Sequence, residues 1–274
     1  MGIKVYAGWV ISEVSEDNYG NKQHQTTFIQ NSLIRFETES SVAIINLKTA
    51  EITLVFGYNK LYWQGTIGEF KKSTVEVFEQ KLKNIVATAD PEQKEIARDL
   101  IAKIKKDYEG GNTDTTTNSF KINIIYKEKE EYIAGFKSKK YEISTSDSLL
   151  ETIWITDSIN PYKDIDIESM ISFTNQMNPS QAKNSIEGST EYLNLIKNGL
   201  AMKSSKKSPY GGTTTTVVTR VIETRINPDI FLPPATYRKA GLMEIMLFSM
   251  RPDNSQINKL KEDFNKAKSN PLYD

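Results

Sequence analysis

The stretch TTTTVVTRVIETRI, residues 213–226, decides the fold of this 274-residue chain. Threonine, valine and isoleucine dominate it, and β-branched side chains are stiff at χ1 and pack well on a pleated surface. Its length and composition predict a long β-strand. Because the prolines at 228, 233 and 234 follow at once, we expect the strand to end there.

Much of the remaining chain also has strand character. Alternating or β-branched runs are separated by turn residues at about ten-residue spacing, which is typical of an antiparallel meander. The runs before residue 71 are 5–14, 26–37, 41–47, 51–58 and 61–70. Further strands are predicted at 120–127, 132–143 and 150–156.

Helical periodicity occurs in a few places. Residues 73–108 carry apolar stripes that predict two helices, and Asp90-Pro91 is typical of the start of the second. Segments 161–177 and 190–198 are also predicted helical, and 259–268 is predicted to be a polar helix or tail. Polar stretches near 110–118 and 203–212 predict mobile loops.

The order strands, helices, strands, helices, strands predicts a single α+β domain over residues 1–274, with helices gathered on one side of an antiparallel sheet.

Composition excludes several classes of function. The chain has no cysteine and one histidine, His24, so thiol chemistry, cysteine metal sites and histidine clusters within one chain are excluded. Thirty-five basic and 35 acidic residues balance, which gives no electrostatic reason to expect nucleic acid as a partner. Phosphate-binding glycine motifs and a Gly-x-Ser-x-Gly elbow are absent. We therefore expect no cofactor and no enzyme of the nucleophile–base or transition-metal type.

The N-terminus and the apolar runs of the sequence bear on where in the cell the protein is located. No run of about 18 apolar residues occurs, so no transmembrane helix is predicted. The first residues, MGIKVY, lack the features of a signal peptide and lead directly into strand-like sequence. From this abrupt start we expect that a leader has been removed.

A resemblance to a known family rests on residues 132–157. The strand YIAGFKSKKYEI, residues 132–143, followed by ETIWITD, residues 151–157, resembles an uncharacterised family of bacterial envelope proteins related to the periplasmic lipoprotein-carrier fold of the LolA type. Ser138 stands where such proteins often have cysteine. The resemblance implies a curved antiparallel half-barrel with helices packed on its concave side, a periplasmic or outer-membrane-associated location, and a lipid or lipidated protein as partner.

Four aromatic residues in predicted strands are the candidate ligand-binding residues: Trp9, Tyr62, Trp63 and Trp154. On a curved sheet, aromatic side chains that line the concave face can contact an apolar ligand. The alternative is that they belong to the hydrophobic core.

Polar candidates have simpler interpretations. Asp164, Asp166 and Glu168 would share one face of a strand and suit Ca²⁺, whereas at a helix start they would favour the helix dipole. The following apolar stripe favours the helix start, so no metal site is predicted. The charge run at 127–131 is expected to be solvated, and His24 lies in polar sequence and is expected to be exposed.

These observations predict a non-catalytic cell-envelope protein that holds an apolar ligand or lipidated partner between sheet and helices. One alternative is a structural module that docks through a sheet edge or through the threonine-rich strand. A second is a hydrolase that uses a pair of carboxylates.

Overall fold

The computed structural model describes residues 7–88, 94–95, 98–99, 102, 105, 121–177, 186–208 and 211–249. Their main feature is one sheet of twelve strands. The strands are β1 Gly8–Glu16, β2 Lys22–Gln30, β3 Leu33–Thr38, β4 Val42–Asn46, β5 Glu51–Phe56, β6 Leu61–Thr66, β7 Asn123–Ile133, β8 Phe136–Ser144, β9 Leu149–Thr156, β10 Leu200–Lys207, β11 Thr213–Thr224 and β12 Arg238–Lys239.

The strand order is β12-β6-β5-β4-β3-β2-β1-β11-β10-β9-β8-β7. Two antiparallel meanders, β1 to β6 and β7 to β10, are joined by β11, which pairs with β1 on one side and β10 on the other. Among the described strands, only the two-residue β12 runs parallel to its neighbour, β6. The threonine-rich strand predicted at 213–226 is therefore confirmed, and it lies in the interior of the sheet.

Tight turns fix the register of neighbouring strands. The β7–β8 hairpin turns at Ala134 and Gly135, whose φ angles are 49° and 87°. Positive φ at both central positions gives a turn whose twist matches that of the flanking strands. Ile133 and Phe136 are consequently paired directly, on one face of the sheet.

Four α-helices are described: α1 Ile67–Thr88, α2 Ile167–Met177, α3 Thr190–Ile196 and α4 Leu242–Ser249. Helix α1 begins inside the stretch predicted as strand 61–70. A capping box explains this start, because the Glu69 carboxylate accepts a hydrogen bond from the Thr66 backbone N–H at 2.7 Å, and the Glu69 N–H donates to the Thr66 hydroxyl. The predicted helices at 91–108 and 259–268 fall largely or wholly outside the described residues.

Buried apolar residues form three clusters. The largest includes Ile11, Trp63, Val77 and Ile245, and so joins the sheet to α1 and α4. A second, around Ile143, Ile153 and Ile155, is covered by residues of the 186–196 segment. The third, around Ile44 and Val55, is covered by Ile226, Phe231 and Tyr237.

The predicted α+β half-barrel with helices packed on its concave side is wrong. The chain forms a large, open, mostly antiparallel sheet with few helices, most of them short. Twelve strands span about 53 Å when flat, whereas α2, α3 and α4 have 11, 7 and 8 residues and are about 16, 10 and 12 Å long. These three helices are too short to form a layer over the sheet, and residues 226–237, whose one helical part is the 3₁₀ helix Pro228–Phe231, cover part of the core instead.

The expected loop at 203–212 also differs, because Lys203–Lys207 form the second half of β10 and pair with β11. The loop expected at 110–118 lies outside the described residues. Among the helices that the structure describes, none is long and apolar enough to cross a membrane.

Candidate binding site in the curled part of the sheet

The five strands from β11 to β7 curl tightly. Strands β7 and β11 are four positions apart in the sheet, which would separate them by roughly 19 Å if it were flat. Residues of the two strands nevertheless approach within 8 Å between Cα atoms. The Lys203 ammonium on β10 also reaches Glu131 on β7 across two intervening strands. The face that carries these two side chains is therefore concave; we call β7 to β11 the curl.

Trp154 lies at the centre of the concave face of the curl. Lys140 on β8 and Lys203 on β10 are its direct cross-strand partners, so the three side chains form one row across three strands. The Nζ atom of Lys203 is 4.5 Å from the centroid of the Trp154 ring, and that of Lys140 is 5.6 Å from it. Both distances fall in the range of cation–π attraction.

A β-bulge creates this row. The register between β9 and β10 shifts between Ala201 and Lys203, and the side chain of the intervening Met202 is fully buried. Without the shift, Lys203 would lie opposite Ile153, whose side chain points to the other face of β9. The bulge therefore aims Lys203 at Trp154.

Two carboxylates approach the lysines. Glu131 accepts hydrogen bonds from Lys203 on both oxygens, at 3.1 and 3.2 Å. Glu142 pairs with Lys127 at 2.9 Å and more distantly with Lys140 at 3.4 Å. The hydrogen bond from Lys127 is the main cause that lowers the pKa of Glu142. Lys140 thus has the weaker ion pair of the two lysines beside the ring.

The indole N–H of Trp154 is buried and has no hydrogen-bond partner among the described residues. An indole nitrogen is only a donor, and most buried donors in folded proteins are paired. An unpaired donor beside two ammonium groups is an arrangement in which an acceptor oxygen from another molecule would be stabilised.

Apolar side chains surround this polar row. Ile133, Phe136, Leu200 and Val217 belong to the same packed cluster as Trp154. Ile133 and Leu200 are buried, whereas Phe136 and Val217 are only partly buried. The concave face therefore joins a charged row to an apolar surface that solvent reaches in part. We call Trp154, Lys140, Lys203 and Glu131 the Trp154 cluster.

A second polar cluster lies on the opposite face of β9. Glu151 is 4% exposed, and its Oε2 atom has no hydrogen-bond partner among the described residues. Burial raises the pKa of Glu151 to about 7, and nearby Glu187 adds to this, while Lys206 opposes it. Lys206 is ion-paired with Glu187. Burial also raises the pKa of Tyr192, which belongs to the apolar cluster on this face.

The four predicted ligand-binding residues do not form one site. Trp9 is on β1, Tyr62 and Trp63 are on β6, and Trp154 is on β9. Strands β1 and β6 are five positions apart, roughly 24 Å in a flat sheet. Adjacent residues of a strand point to opposite faces, so Tyr62 and Trp63 are also separated. Trp63 packs edge-on against Phe70 of α1 and is 6% exposed, which places it in the core.

The acidic candidate at 164–168 is a helix cap. The Asp166 carboxylate accepts hydrogen bonds from the backbone N–H groups of Glu168 and Ser169 and from the Ser169 hydroxyl. These bonds, of which that from the Ser169 hydroxyl is the strongest cause, lower the pKa of Asp166. Within the described residues, no group of acidic or histidine side chains is arranged to hold a metal ion.

Sequence reasoning found Trp154 but missed Lys140, Lys203 and Glu131. Glu131 and Lys203 are 72 residues apart, and no sequence pattern links them. The charge run at 127–131 was expected to be solvated, and its first four residues are exposed. Glu131, the last of the run, is instead held by Lys203. The short motif around residues 132–157 was the one signal that pointed to this part of the chain.

Comparisons with known proteins give weak likenesses. No protein-family model matches the sequence, and no curated protein matches it. A solved structure of PNGF-II is 12% identical, with a TM-score of 0.37, over 88% of this chain and 33% of that chain. This chain therefore spans about a third of the length of PNGF-II.

Two other solved structures are similar over most of their length. An uncharacterised conserved protein from Thermus thermophilus is 6% identical with a TM-score of 0.41, over 86% of this chain and 92% of that chain. The LolA superfamily protein NE2245 from Nitrosomonas europaea is 7% identical with a TM-score of 0.25, over 84% and 91%. The likeness to the LolA superfamily is thus a weak structural one, and with TM-scores below 0.5 these neighbours identify no function.

Proposed function

We propose that this chain is a non-catalytic binding protein that holds an apolar or amphipathic ligand on the concave face of the curl, against Trp154. The observation that carries the proposal is the Trp154 cluster itself. An aromatic ring with an unpaired N–H lies between two lysines, beside the apolar side chains of Ile133, Phe136, Leu200 and Val217. Concave, mostly apolar surfaces with a few convergent polar groups are typical of ligand sites.

Docking through the threonine-rich strand has less support, because its threonine run at 213–216 pairs with β10, and Thr215 and Thr216 pair with β1 as well. The free edge at β7 carries alternating lysine and glutamate residues and a register shift between Tyr126 and Glu130. Charges and bulges on an edge strand disfavour pairing with another strand.

A carboxylate-based hydrolase would draw on Glu151 and Glu187. The unpaired oxygen of Glu151 is not accessible to solvent in this arrangement, so a substrate would reach it only after the 186–196 segment moved. The indole N–H of Trp154 is equally buried, but Phe136 and Val217 beside it are partly exposed, so the apolar part of a ligand can contact the concave face without such a movement. We therefore favour binding over hydrolysis.

The proposal is tested with the neutral apolar fluorophore N-phenylnaphthylamine. We expect saturable binding to the wild-type chain. Phe136→Ser should weaken binding about tenfold, because it removes a partly buried aromatic ring from the concave face. Tyr132→Ser is the matched control, since Tyr132 is an exposed ring on the neighbouring strand, directly opposite Lys137 and pointing away from the concave face.

If the wild type and Phe136→Ser bound N-phenylnaphthylamine with equal affinity, and circular dichroism showed both to be folded, the proposal would be wrong. Saturable binding that Tyr132→Ser weakens as much as Phe136→Ser does would place the ligand elsewhere.

A location in the cell envelope remains part of the proposal, and a lipidated protein is the alternative ligand. Both rest on the sequence resemblance at residues 132–157. Fractionation of cells that carry the full-length gene, with detection of the protein in envelope and cytosolic fractions, tests the location directly.

A further inference from the structure

We propose that the ligand carries a carboxylate, bound between Lys140 and Lys203 with an oxygen accepting the hydrogen bond of the Trp154 indole N–H. This inference rests on the proposed function and deepens it, because it names the chemical class of the ligand. Three observations support it: the row formed by Lys140, Trp154 and Lys203, the unpaired indole N–H in that row, and the charge balance around it.

The charge balance favours a monoanion. Lys127, Lys140 and Lys203 supply three positive charges, and Glu131 and Glu142 supply two negative charges through the ion pairs that join them. The group therefore carries a net charge of +1. A carboxylate neutralises it, whereas a phosphate monoester, with a charge near −2, would leave an excess negative charge in a half-buried place.

Geometry gives the carboxylate three donors. Lys140 and Lys203 lie in the strands on either side of Trp154, and their side chains are 22% and 26% exposed. Two like charges beside one ring repel each other, and an anion between them replaces that repulsion with attraction. Trp154 is 9% exposed and its indole nitrogen is buried, so the unpaired N–H is shielded from water and gains from an acceptor.

The apolar part of the ligand would then lie along Phe136 and Val217. Val217 is the direct cross-strand partner of Lys203, and Phe136 is on the same face of β8 as Lys140. Both are partly buried and belong to the cluster that contains Trp154. A chain that extends from the lysine row over these two side chains describes an amphipathic acid, such as a fatty acid.

The test is displacement of bound N-phenylnaphthylamine by dodecanoate, dodecanol and dodecyl phosphate, which share one chain and differ in the head group. Dodecanoate is expected to displace the probe at about tenfold lower concentration than dodecanol, since charge-assisted hydrogen bonds are the stronger kind. Lys140→Met and Lys203→Met should each remove most of this preference. Lys139→Met is the matched control: Lys139 is the adjacent residue of β8, points to the other face and is ion-paired with Asp157 at 2.7 Å.

The outcomes separate the two proposals. Saturable probe binding with equal displacement by dodecanoate and dodecanol overturns the carboxylate assignment and leaves the proposed function standing. Stronger displacement by dodecyl phosphate than by dodecanoate overturns the assignment as well. Failure of the probe itself to bind removes the proposed function. A preference for dodecanoate that Lys139→Met keeps and Lys203→Met loses supports the inference.

Discussion

The Nζ atom of Lys203 lies 4.5 Å from the centre of the Trp154 ring and donates hydrogen bonds to both carboxylate oxygens of Glu131, at 3.1 and 3.2 Å. One ammonium group thus joins β10, β9 and β7. Because β7 and β10 are three positions apart, this contact exists only while the sheet is curled. Substitutions of Lys203 therefore give the most direct test of whether this part of the sheet is curled.

The coupling between Lys203 and Glu131 should be measurable in a double-mutant cycle. We expect Lys203→Met and Glu131→Gln to show a coupling energy of about 1 kcal/mol, at the upper end for a partly exposed ion pair, because the contact is bidentate. Urea unfolding of the two single mutants and the double mutant measures it. The matched cycle is Lys137→Met with Glu130→Gln, an ion pair between the adjacent strands β7 and β8 whose contact does not depend on the curl. A coupling near zero for Lys203 and Glu131 would contradict the curled arrangement.

Stability should fall as the pH rises, because of Glu151. Burial raises the pKa of Glu151 from its ordinary 4.5 to about 7, so the folded chain retains a proton that the unfolded chain has lost. The contribution of Glu151 to the free energy of unfolding is fully present below about pH 4.5, decreases as the pH rises to about 7, and does not change further above that pH. The difference between the pKa of Glu151 in the unfolded and in the folded chain corresponds to about 3 kcal/mol, at about 1.4 kcal/mol for each pH unit.

Glu151→Gln tests this pH dependence. The amide stays neutral at every pH, so the variant should lose most of the decrease in unfolding free energy between pH 5 and pH 8. A smaller decrease should remain, because burial also raises the pKa of Glu13. Glu142→Gln is the control of opposite sign, since the pKa of Glu142 is lowered, chiefly by Lys127. An unchanged pH profile in Glu151→Gln would show that this carboxyl titrates normally.

Gly199 should tolerate no side chain. A Cβ atom at Gly199 would lie 2.2 Å from the backbone oxygen of Thr156 on β9, and a backbone atom cannot move aside without breaking the β9–β10 pairing. We expect Gly199→Ala to lower the free energy of unfolding by about 2 kcal/mol or more. Gly241→Ala is the control, because a Cβ there meets no atom within 4 Å. Thermal unfolding of the two variants compares them directly.

Trp63 should contribute to stability and not to ligand binding. Its ring packs against Phe70 with the centroids 5.5 Å apart and an interplanar angle of 67°. Trp63→Phe leaves part of that volume empty and should cost about 2 kcal/mol of unfolding free energy. The affinity for N-phenylnaphthylamine should be unchanged, whereas Trp154→Phe should weaken binding with a smaller loss of stability. If Trp63→Phe lowered both the stability and the affinity for the probe, Trp63 would have to be part of the ligand site.

Local features were readable from the sequence. Residues 213–224 form a strand because β-branched side chains favour one, and 190–196 form a helix with Ser189 as its N-cap. The helix start at Asp166 was also predicted, from the apolar stripe that follows it, and the cap hydrogen bonds confirm it. In each case the deciding interactions lie within a few residues of one another.

Arrangement over longer distances was not readable. The prediction of helices on one side of a sheet followed from the order of predicted elements, and the half-barrel followed from the family resemblance, whereas the chain builds a twelve-strand sheet. The pairing of β1 with β11 joins residues about 200 positions apart, and nothing local to either strand specifies it. Three of the four residues of the Trp154 cluster were missed for the same reason.

The amino-acid order alone indicated most of the strand segments, though not β10 at Leu200–Lys207, and it established that the chain has no cysteine and one histidine. Periodicity, turn residues and composition act locally, so each of these can be read from the order of amino acids. Only the tertiary structure decided that Lys140 and Lys203 flank Trp154. That row depends on the registers of three strands and on one extra residue at Met202, and a shift of a single residue would turn Lys203 to the other face of the sheet.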